Sequence, residues 1–207
     1  GILNQTNAIR ADSLEEMFHI AALFEKKVNF ESNRIQIITN GGGYGIISTD
    51  AISASKHLKM ADMSSITAGE IRKKTPGHMN VGNPLDLLGD ATTERYRDAL
   101  NATLDDKNVD GVLFIVLYQT PLVTTEIVEV ITEAHHNSKK PIVVVSTGGE
   151  FTELLSRSLM ERGIPVFNFP TETIMALDKV VAYQMKHKNI NIKVVDKVKS
   201  KLKVKKR

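Results

Sequence analysis

The segment Arg34-Ile-Gln-Ile-Ile-Thr-Asn-Gly-Gly-Gly-Tyr-Gly45 decides the fold class of this chain. Its first half is a short run rich in β-branched residues, which favours a strand. Its second half is a run of glycines, which ends the strand and is typical of a turn. Residues 46–58 then have the pattern of a helix. The segment therefore predicts a β-strand, a glycine turn and a helix that begins at Ile46.

The same alternation of strand and helix continues along the chain to residue 186. Apolar strands with helices between them are typical of a parallel sheet that is covered on both faces. The chain is therefore predicted to be an α/β protein with a flavodoxin-like, doubly wound parallel sheet of five strands in the order 2-1-3-4-5 and flanking helices. A first helix precedes the sheet at residues 13–26, and the four further strands are predicted at residues 59–63, 111–117, 141–146 and 164–168.

The length and charge of the chain indicate one domain with a basic end. With 207 residues, 42% of them hydrophobic, the chain can bury one good core. We expect a domain at residues 1–187 and a basic C-terminal tail at residues 188–207. Ten of the 27 Lys and Arg residues lie between Lys186 and Arg207, so the rest of the chain is acidic. Nucleic acid is not an expected partner, because nucleic-acid-binding domains carry basic residues on a folded face.

The sequence does not indicate a membrane span, a metal site or a catalytic residue. No apolar stretch approaches the roughly 20 residues of a membrane span, and we expect a cytoplasmic protein without membrane contact. The chain has no cysteine, and its six histidines are scattered, so no metal site is predicted. His78 lies in a candidate loop, but no neighbouring carboxylate would orient its imidazole. No catalytic residue is therefore predicted in this chain.

The glycine turn is the main candidate for a binding site. In the predicted strand order, ligands bind where the connections after the first and third strands diverge, and this turn follows the first strand. Consecutive glycines let the main chain approach a ligand, and the N–H groups of the next helix favour negative charge. The alternative is a tight turn whose glycines need positive φ angles. The candidate phosphate-binding residues are Asn40, Gly41, Gly42, Gly43, Tyr44 and Gly45.

A second candidate loop follows the third predicted strand. Its residues Gln119, Thr120 and Pro121 could bind a small carboxylate or an acyl phosphate through a carboxamide, a hydroxyl and main-chain amides. An ordinary polar loop is the alternative. A dinucleotide site is less well supported, because the glycines do not complete the Gly-x-Gly-x-x-Gly spacing, although Asp62 lies where an acid that binds ribose would be.

Four segments occur in an order that is found in one known family. They are Ile9-Arg-Ala-Asp-Ser-Leu-Glu-Glu-Met-Phe18, Ile38-Thr-Asn-Gly-Gly-Gly-Tyr-Gly45, Gly82-Asn-Pro-Leu-Asp-Leu-Leu-Gly-Asp-Ala91 with Glu94-Arg-Tyr96, and Val109-Asp110 leading into Val116. With these segments the chain resembles the C-terminal flavodoxin-like domain of ADP-forming acetyl-CoA synthetases and other NDP-forming acyl-CoA synthetases. It is similar, more distantly, to the ligase domain of the succinyl-CoA synthetase β subunit.

The resemblance implies a role in reversible acid–CoA ligation. In that family, acyl-CoA and phosphate give an acyl phosphate, a histidine takes the phosphoryl group, and ADP receives it. The resemblance implies that residues 40–43 lead into one of two helices whose N-termini face this phosphohistidine. It also implies that residues 119–121 contact the acid, and it adds Asn83 and Asp86 to the substrate site. The Ser-His-Thr-Gly type of loop that carries the phosphorylated histidine is not found in this sequence.

The resemblance also implies cofactors and partners outside this chain. CoA and ADP or ATP with Mg are expected mainly on other domains. The expected partners are CoA-binding, histidine-bearing and ATP-grasp domains of the same enzyme, fused or separate, with a small carboxylic acid and phosphate as ligands and an oligomeric enzyme. The chain is thus predicted to be one domain of a ligase and inactive alone. The alternatives are a non-catalytic regulatory module that binds a nucleotide or acyl-CoA, and a dinucleotide-binding oxidoreductase domain.

Overall fold

The computed structural model describes the backbone of residues 8–204 and the side chains of residues 8–188. Within these residues, seven helices flank one parallel sheet of six strands. The elements in chain order are α1 (Leu14–Glu25), β1 (Arg34–Thr39), α2 (Gly42–Ala54), β2 (Lys59–Met60), α3 (Ser65–Lys73), β3 (Leu85–Asp86), α4 (Thr93–Asp105), β4 (Gly111–Ile115), α5 (Ile127–Asn137), β5 (Ile142–Val145), α6 (Glu150–Glu161), β6 (Val166–Phe167) and α7 (Pro170–Val204).

The strand order is β2-β1-β4-β5-β6, which confirms the predicted order 2-1-3-4-5 for the five predicted strands. The remaining strand, β3, was not predicted, and it pairs with β1 outside this order. β2 pairs with Arg34 and Ile35 at the start of β1, and β3 pairs with the end of β1 through Leu85 and Asp86. The predicted sheet of five strands misses β3 because two residues are too few to show a periodic pattern.

Helices cover both faces of the sheet, as the apolar strands predict. α1, α2 and α7 pack on one face, and α3, α4, α5 and α6 pack on the other. In β4, Leu113 and Ile115 are buried among the first group of helices, whereas Val112 and Phe114 are buried among the second. Successive strand residues point to opposite faces, so a strand that is covered on both faces must be apolar throughout.

α2 begins four residues earlier than the predicted start at Ile46. Gly42 and Gly43 are helical residues of its first turn, and Gly41 is the extended residue before them, with φ −126° and ψ 97°. Two residues alone therefore connect β1 to α2. This first turn could not be predicted from the sequence, because glycine has a low intrinsic preference for helices.

α7 is longer than the predicted helix at residues 171–186. Its backbone continues to Val204 and so includes most of the predicted basic tail at residues 188–207. Residues 205–207 lie outside the described residues. No break in the helix marks residue 187, and the division into a domain and a tail stays a prediction. Neither α7 nor any other described helix is long and apolar enough to cross a membrane.

Lys179 of α7 fixes the segment that precedes α1. Its Nζ donates hydrogen bonds to Arg10 O at 3.0 Å, to Asp12 Oδ2 at 2.7 Å and to Glu16 Oε2 at 2.7 Å. Burial by itself lowers the pKa of Lys179, but the hydrogen bonds to Asp12 and Glu16 outweigh burial and raise it. The described chain is therefore anchored to α7 from its first residues.

Candidate functional site

The two predicted binding loops meet at the edge of the sheet where β1 and β4 end, and Asn40 joins them. Asn40 follows β1 and is buried. Its Oδ1 accepts a hydrogen bond from Leu117 N at 2.9 Å. Its Nδ2 donates to Leu117 O at 3.1 Å and to Thr120 Oγ1 at 2.9 Å. The polar atoms of the Asn40 side chain thus fasten the start of α2 to the loop after β4.

The first turn of α2 presents main-chain N–H groups at this edge. No side chain caps the helix, and the first N–H with a main-chain acceptor is that of Gly45, which donates to Gly41 O at 3.1 Å. The N–H groups of Gly42, Gly43 and Tyr44 therefore have no intrahelical acceptor. Uncapped donors together with the helix dipole favour an anion at this position.

Gly41 and Gly42 are required by close approach and not by backbone conformation. A Cβ atom on Gly41 would lie 2.6 Å from Leu117 Cδ1, and one on Gly42 would lie 2.9 Å from Asp86 Oδ2. Among the described glycines, Gly163 alone has a positive φ angle. The alternative explanation of the glycine run as a turn that needs positive φ angles is therefore wrong.

Asp86 lies beside the first turn of α2, although 44 residues separate it from Gly42 in the sequence. β3 places it there, because Asp86 pairs with Thr39 at the end of β1. Its Oδ1 accepts a hydrogen bond from Leu88 N at 2.9 Å, and its Oδ2 points toward Gly42. The structure thus brings one predicted substrate-site residue next to the predicted phosphate-binding residues.

Asn83 precedes β3 in the chain. It contacts β1 between the residues that pair with β2 and those that pair with β3. Its Oδ1 accepts from Ile37 N at 3.0 Å, and its Nδ2 donates to Ile35 O at 2.8 Å and to Ala61 O at 3.0 Å. These bonds replace the missing main-chain ladder and hold β3 in place. The geometry therefore gives Asn83 a supporting position beneath Asp86, and its predicted contact with substrate stays a prediction.

The loop after β4 presents one exposed carboxamide on its side toward the end of β5. Gln119 is exposed, and its Nε2 donates to Thr147 O at 2.7 Å. Thr120 is half-buried, and its Oγ1 donates to Leu117 O at 3.0 Å while it accepts from Asn40. Pro121 is exposed and adds no polar atom from its side chain. Among residues 119–121, Gln119 is thus the most available for a polar ligand.

Two buried tyrosines support this edge and were not singled out from the sequence as site residues. The hydroxyl of Tyr96 donates to Ile115 O at 2.9 Å, and its ring packs on Phe114. Tyr118 directly precedes Gln119, and its ring packs edge-on against Phe151. Burial raises the pKa of both hydroxyls, which keeps them neutral. The sequence signals were the position of Tyr118 at the start of the candidate loop after the third predicted strand and the position of Tyr96 in one of the family-like segments.

The histidines lie away from the uncapped start of α2 or are exposed. His57 Nδ1 lies 3.2 Å from Asp178 Oδ2, but this pair is beyond the C-terminal end of α2. The 13 residues of α2 span about 20 Å, which separates the pair from Gly42. His78 is exposed in its loop. Within residues 8–188, no group of three or more His, Asp or Glu side chains is arranged to hold a metal ion.

A model of the Ligase-CoA domain matches residues 35–196, from β1 well into α7. The chain belongs to the Ligase-CoA domain family. The matched region of this Ligase-CoA domain contains Asn40, the first turn of α2, Asp86 and the loop after β4. The family resemblance inferred from the sequence is thereby confirmed.

Relatives of this Ligase-CoA domain are longer ADP-forming CoA ligases. It is 30% identical over 182 residues to the 4-hydroxybutyrate–CoA ligase (ADP-forming) of Nitrosopumilus maritimus, with 88% of this chain and 26% of that protein covered. It is 32% identical over 179 residues to acetate–CoA ligase (ADP-forming) I of Archaeoglobus fulgidus, with 86% and 25% covered. For the α subunit of acetate–CoA ligase (ADP-forming) II of Pyrococcus furiosus, the identity is 30% over 176 residues, with 83% and 38% covered. The chain thus spans well under half the length of these relatives.

Solved structures agree with the fold of this Ligase-CoA domain. A crystal structure of a Pyrococcus horikoshii OT3 protein aligns with a TM-score of 0.81 and 28% identity, with 89% of this chain and 42% of that chain covered. The dinucleotide-forming acetyl-coenzyme A synthetase 1 of Candidatus Korarchaeum cryptofilum, in complex with phosphate and ADP, aligns with a TM-score of 0.76 and 26% identity, with 89% and 41% covered. Both similarities confirm the predicted flavodoxin-like fold.

Proposed function

We propose that this chain is one domain of an ADP-forming acid–CoA ligase, in which the start of α2 holds the phosphoryl group of a phosphohistidine on another domain. The uncapped first turn of α2, at the edge where β1 and β4 end, is the observation that carries this proposal. It is supported by relatives that are named as ADP-forming ligases and by a structural neighbour in complex with phosphate and ADP.

The proposed reaction has three reversible transfers. Phosphate attacks the acyl carbon of acyl-CoA, the C–S bond breaks, and CoA leaves as the acyl phosphate forms. A histidine nitrogen then attacks the phosphorus, and the carboxylate leaves as the free acid. The terminal phosphate oxygen of ADP finally takes the phosphoryl group and gives ATP. In this scheme the nucleophilic histidine, CoA and ADP with Mg²⁺ belong mainly to the other domains.

The residues of this chain bind and orient the phosphoryl group. The N–H groups of Gly42, Gly43 and Tyr44 donate hydrogen bonds to its oxygens. A helix start stabilises an anion by about 0.3–1 kcal/mol, and by up to about 2 kcal/mol when it is partly buried. A side chain on Gly43 would meet no atom within 4 Å, so the surface at this point is open to an approaching histidine loop.

The acid is proposed to bind beside this helix start. The exposed carboxamide of Gln119 contacts the acid, and Thr120 and Pro121 shape the loop around it. Asn40 holds this loop and α2 in a fixed relation through its bonds to Leu117 and Thr120. Asn83 acts through β3, because it holds the strand that carries Asp86.

The proposal is tested by phosphohistidine formation in the assembled ligase. This chain is combined with the histidine-bearing and ATP-grasp parts, and phosphoenzyme is formed from labelled ATP. Because a side chain at position 42 meets Asp86 and crowds the helix start, Gly42→Leu should lower the phosphoenzyme yield by at least about tenfold. Gly69→Leu is the control, since a Cβ at this helical glycine of α3 meets no atom within 4 Å.

Two results would contradict the proposal. The first is an unchanged yield of phosphohistidine in Gly42→Leu when thermal unfolding shows that the variant is folded. The second is full ligase activity of the other parts without this chain, which would favour the alternative of a non-catalytic regulatory module.

A further inference from the structure

A groove between α1, β6 and the start of α7 combines aromatic rings with carboxylates. Its volume is about 410 Å³. β4 and β5 separate β6 from β1, so the groove is distinct from the uncapped start of α2. Among the described residues that line it, none is Lys or Arg. We call it the Phe–Glu groove, after Phe18, Phe167, Phe169, Glu15 and Glu172.

Two buried polar atoms in the Phe–Glu groove have no hydrogen-bond partner within the described part of the protein. They are His19 Nδ1 and Glu172 Oε2. Glu172 lies in the first turn of α7, where the helix dipole favours a carboxylate. The dipole alone does not replace a hydrogen bond to a buried carboxylate oxygen, which is costly to leave unpaired. A cation that enters the groove from another molecule would be attracted by the negative charge of Glu172, which is half-buried.

The walls of the Phe–Glu groove favour a cationic donor with an aliphatic stem. Phe18 is 65% exposed and Phe169 is 52% exposed, and Leu14 lies one turn from Phe18 on α1 and is 72% exposed. Aromatic faces attract Lys and Arg, and the side chains of both residues bury their aliphatic stems on apolar surfaces. Because Glu15 and Glu172 supply opposite charge, the lining fits a Lys or Arg side chain of a polypeptide.

This chain contains a segment with the matching chemistry. Residues 188–207, the basic segment, contain nine Lys or Arg residues and one Asp, with Ile, Val and Leu interspersed. The rest of the chain, residues 1–185, has 17 basic and 23 acidic residues. The basic segment and the acidic body therefore carry opposite charges. The exposed rings of Phe18 and Phe169 in the Phe–Glu groove form an apolar surface of the kind that typically marks an interface.

Residues 188–204 of the basic segment lie away from the Phe–Glu groove of their own chain. α7 begins at the groove with Pro170 and runs to Val204. Its 35 residues span about 52 Å at 1.5 Å per residue. The groove and residues 188–204 of the basic segment thus lie toward opposite ends of one helix, so a cation from this segment would come from another molecule.

We propose that the Phe–Glu groove binds Lys and Arg side chains from the basic segment of a second copy of this chain. Two α7 helices in antiparallel directions place each basic segment at the groove of the other copy. The same contact then occurs twice around a two-fold axis, which is the common symmetry of protein dimers. Formation of this dimer does not depend on phosphoryl transfer, because the groove lies beside β6 whereas the start of α2 follows β1.

Sedimentation equilibrium of the full chain tests this proposal. The wild type should dimerise, and the dissociation constant should rise with salt. Glu172→Gln and Phe169→Ala should each raise it by about threefold to tenfold, since each change affects both contacts of the dimer. Glu153→Gln is the control for an acidic residue in the first turn of a helix, and Phe151→Ala is the control for a phenylalanine with 51% exposure.

A charge swap tests whether the basic segment of each copy binds the groove of the other copy. One variant of the full chain carries Glu15→Lys with Glu172→Lys. The other carries Lys197→Glu, Lys199→Glu, Lys201→Glu, Lys203→Glu and Lys205→Glu, so that its basic segment has four basic and six acidic residues. Each variant alone should be monomeric, because groove and segment then have the same charge, and an equimolar mixture should dimerise. Thermal unfolding shows that each variant is folded.

Three results would overturn the proposal. A wild-type chain that is monomeric at millimolar concentration has no such dimer, whether its segment binds another protein or stays free. If Glu172→Gln and Glu153→Gln raise the dissociation constant of the dimer by the same factor, the dimer does not use the groove. Charge-swapped variants that stay monomeric when mixed do not exchange their basic segments.

Discussion

The carboxylate of Asp86 occupies the space into which a side chain at Gly42 would extend. A Cβ on Gly42 would lie 2.9 Å from Asp86 Oδ2. The other oxygen of this carboxylate accepts from Leu88 N at 2.9 Å, so Asp86 cannot turn away without loss of that hydrogen bond. The contact links the first turn of α2 to β3 and keeps a glycine at the helix start.

We expect Gly42→Ala to stabilise the protein less than a glycine replacement elsewhere in a helix. Gly69→Ala in α3 meets no neighbouring atom and should stabilise by about 0.5–1 kcal/mol, because alanine loses less backbone entropy. Gly42→Ala should fall about 1 kcal/mol short of that gain, the usual net value of one hydrogen bond, because it displaces Asp86. Urea unfolding of both variants measures the difference.

Asp86→Ala provides the control for this contact. In an Asp86→Ala background, a Cβ introduced at position 42 no longer meets a carboxylate, so Gly42→Ala and Gly69→Ala should have similar effects. A difference of the original size in that background would show that Asp86 is not the cause.

We expect Asn40→Ala to destabilise the protein by about 2 kcal/mol, because it leaves the N–H of Leu117 without its partner and removes the hydrogen bonds from Asn40 to Leu117 O and Thr120 Oγ1. Asn80→Ala is the control, since Asn80 is exposed, and it should change stability by less than about 0.5 kcal/mol. Denaturant unfolding measures both. Equal effects of the two variants would mean that Asn40 does not hold the two loops together.

The Arg34–Asp110 ion pair predicts a pH dependence of stability. Arg34 Nε donates to Asp110 Oδ2 at 2.7 Å and its Nη2 donates to Oδ1 at 2.8 Å. Burial by itself raises the pKa of Asp110, but the hydrogen bonds from Arg34 outweigh burial, and the pKa is lowered from 3.8. The pair therefore stabilises the fold above pH 3.8, and this contribution is lost as the pH falls through the lower folded-state pKa.

Asp110→Asn should thus destabilise the protein by about 1–2 kcal/mol at neutral pH, a modest value because Arg34 is 38% exposed and partly screened by solvent. The difference from the wild type should narrow as the pH falls below 3.8. Urea unfolding at several pH values measures it, with the exposed Asp50→Asn as the control. A difference that does not change with pH would exclude the ionised carboxylate as its source.

We expect Lys179→Met to loosen the segment before α1, because Asp12 and Glu16 lose their shared cation. Amide hydrogen exchange of Asp12 should become faster by about tenfold, which corresponds to about 1.4 kcal/mol. Lys186→Met changes an exposed lysine of the same helix and should leave this exchange rate unchanged. Equal exchange rates in the two variants would show that Lys179 does not anchor the segment.

The sequence was sufficient for the sheet order, because β4 and β5 are apolar throughout and alternate with helices. It was not sufficient for β3, whose two residues show no periodic pattern, or for the first turn of α2, whose glycines have low helix preference. It also predicted that the loops after β1 and β4 lie at the same edge of the sheet, where Asn40 joins them. Contacts such as Asp86 with Gly42, or Lys179 with Glu16, depend on tertiary packing between residues far apart in the chain and have no local signal.

The structure of the assembled ligase, trapped with its histidine phosphorylated, tests the proposed role of α2 most directly. We predict that phosphoryl oxygens lie about 2.7–3.2 Å from the main-chain nitrogens of Gly42 and Gly43. A phosphohistidine that binds elsewhere in every trapped state, with the start of α2 turned away from it, would contradict this role.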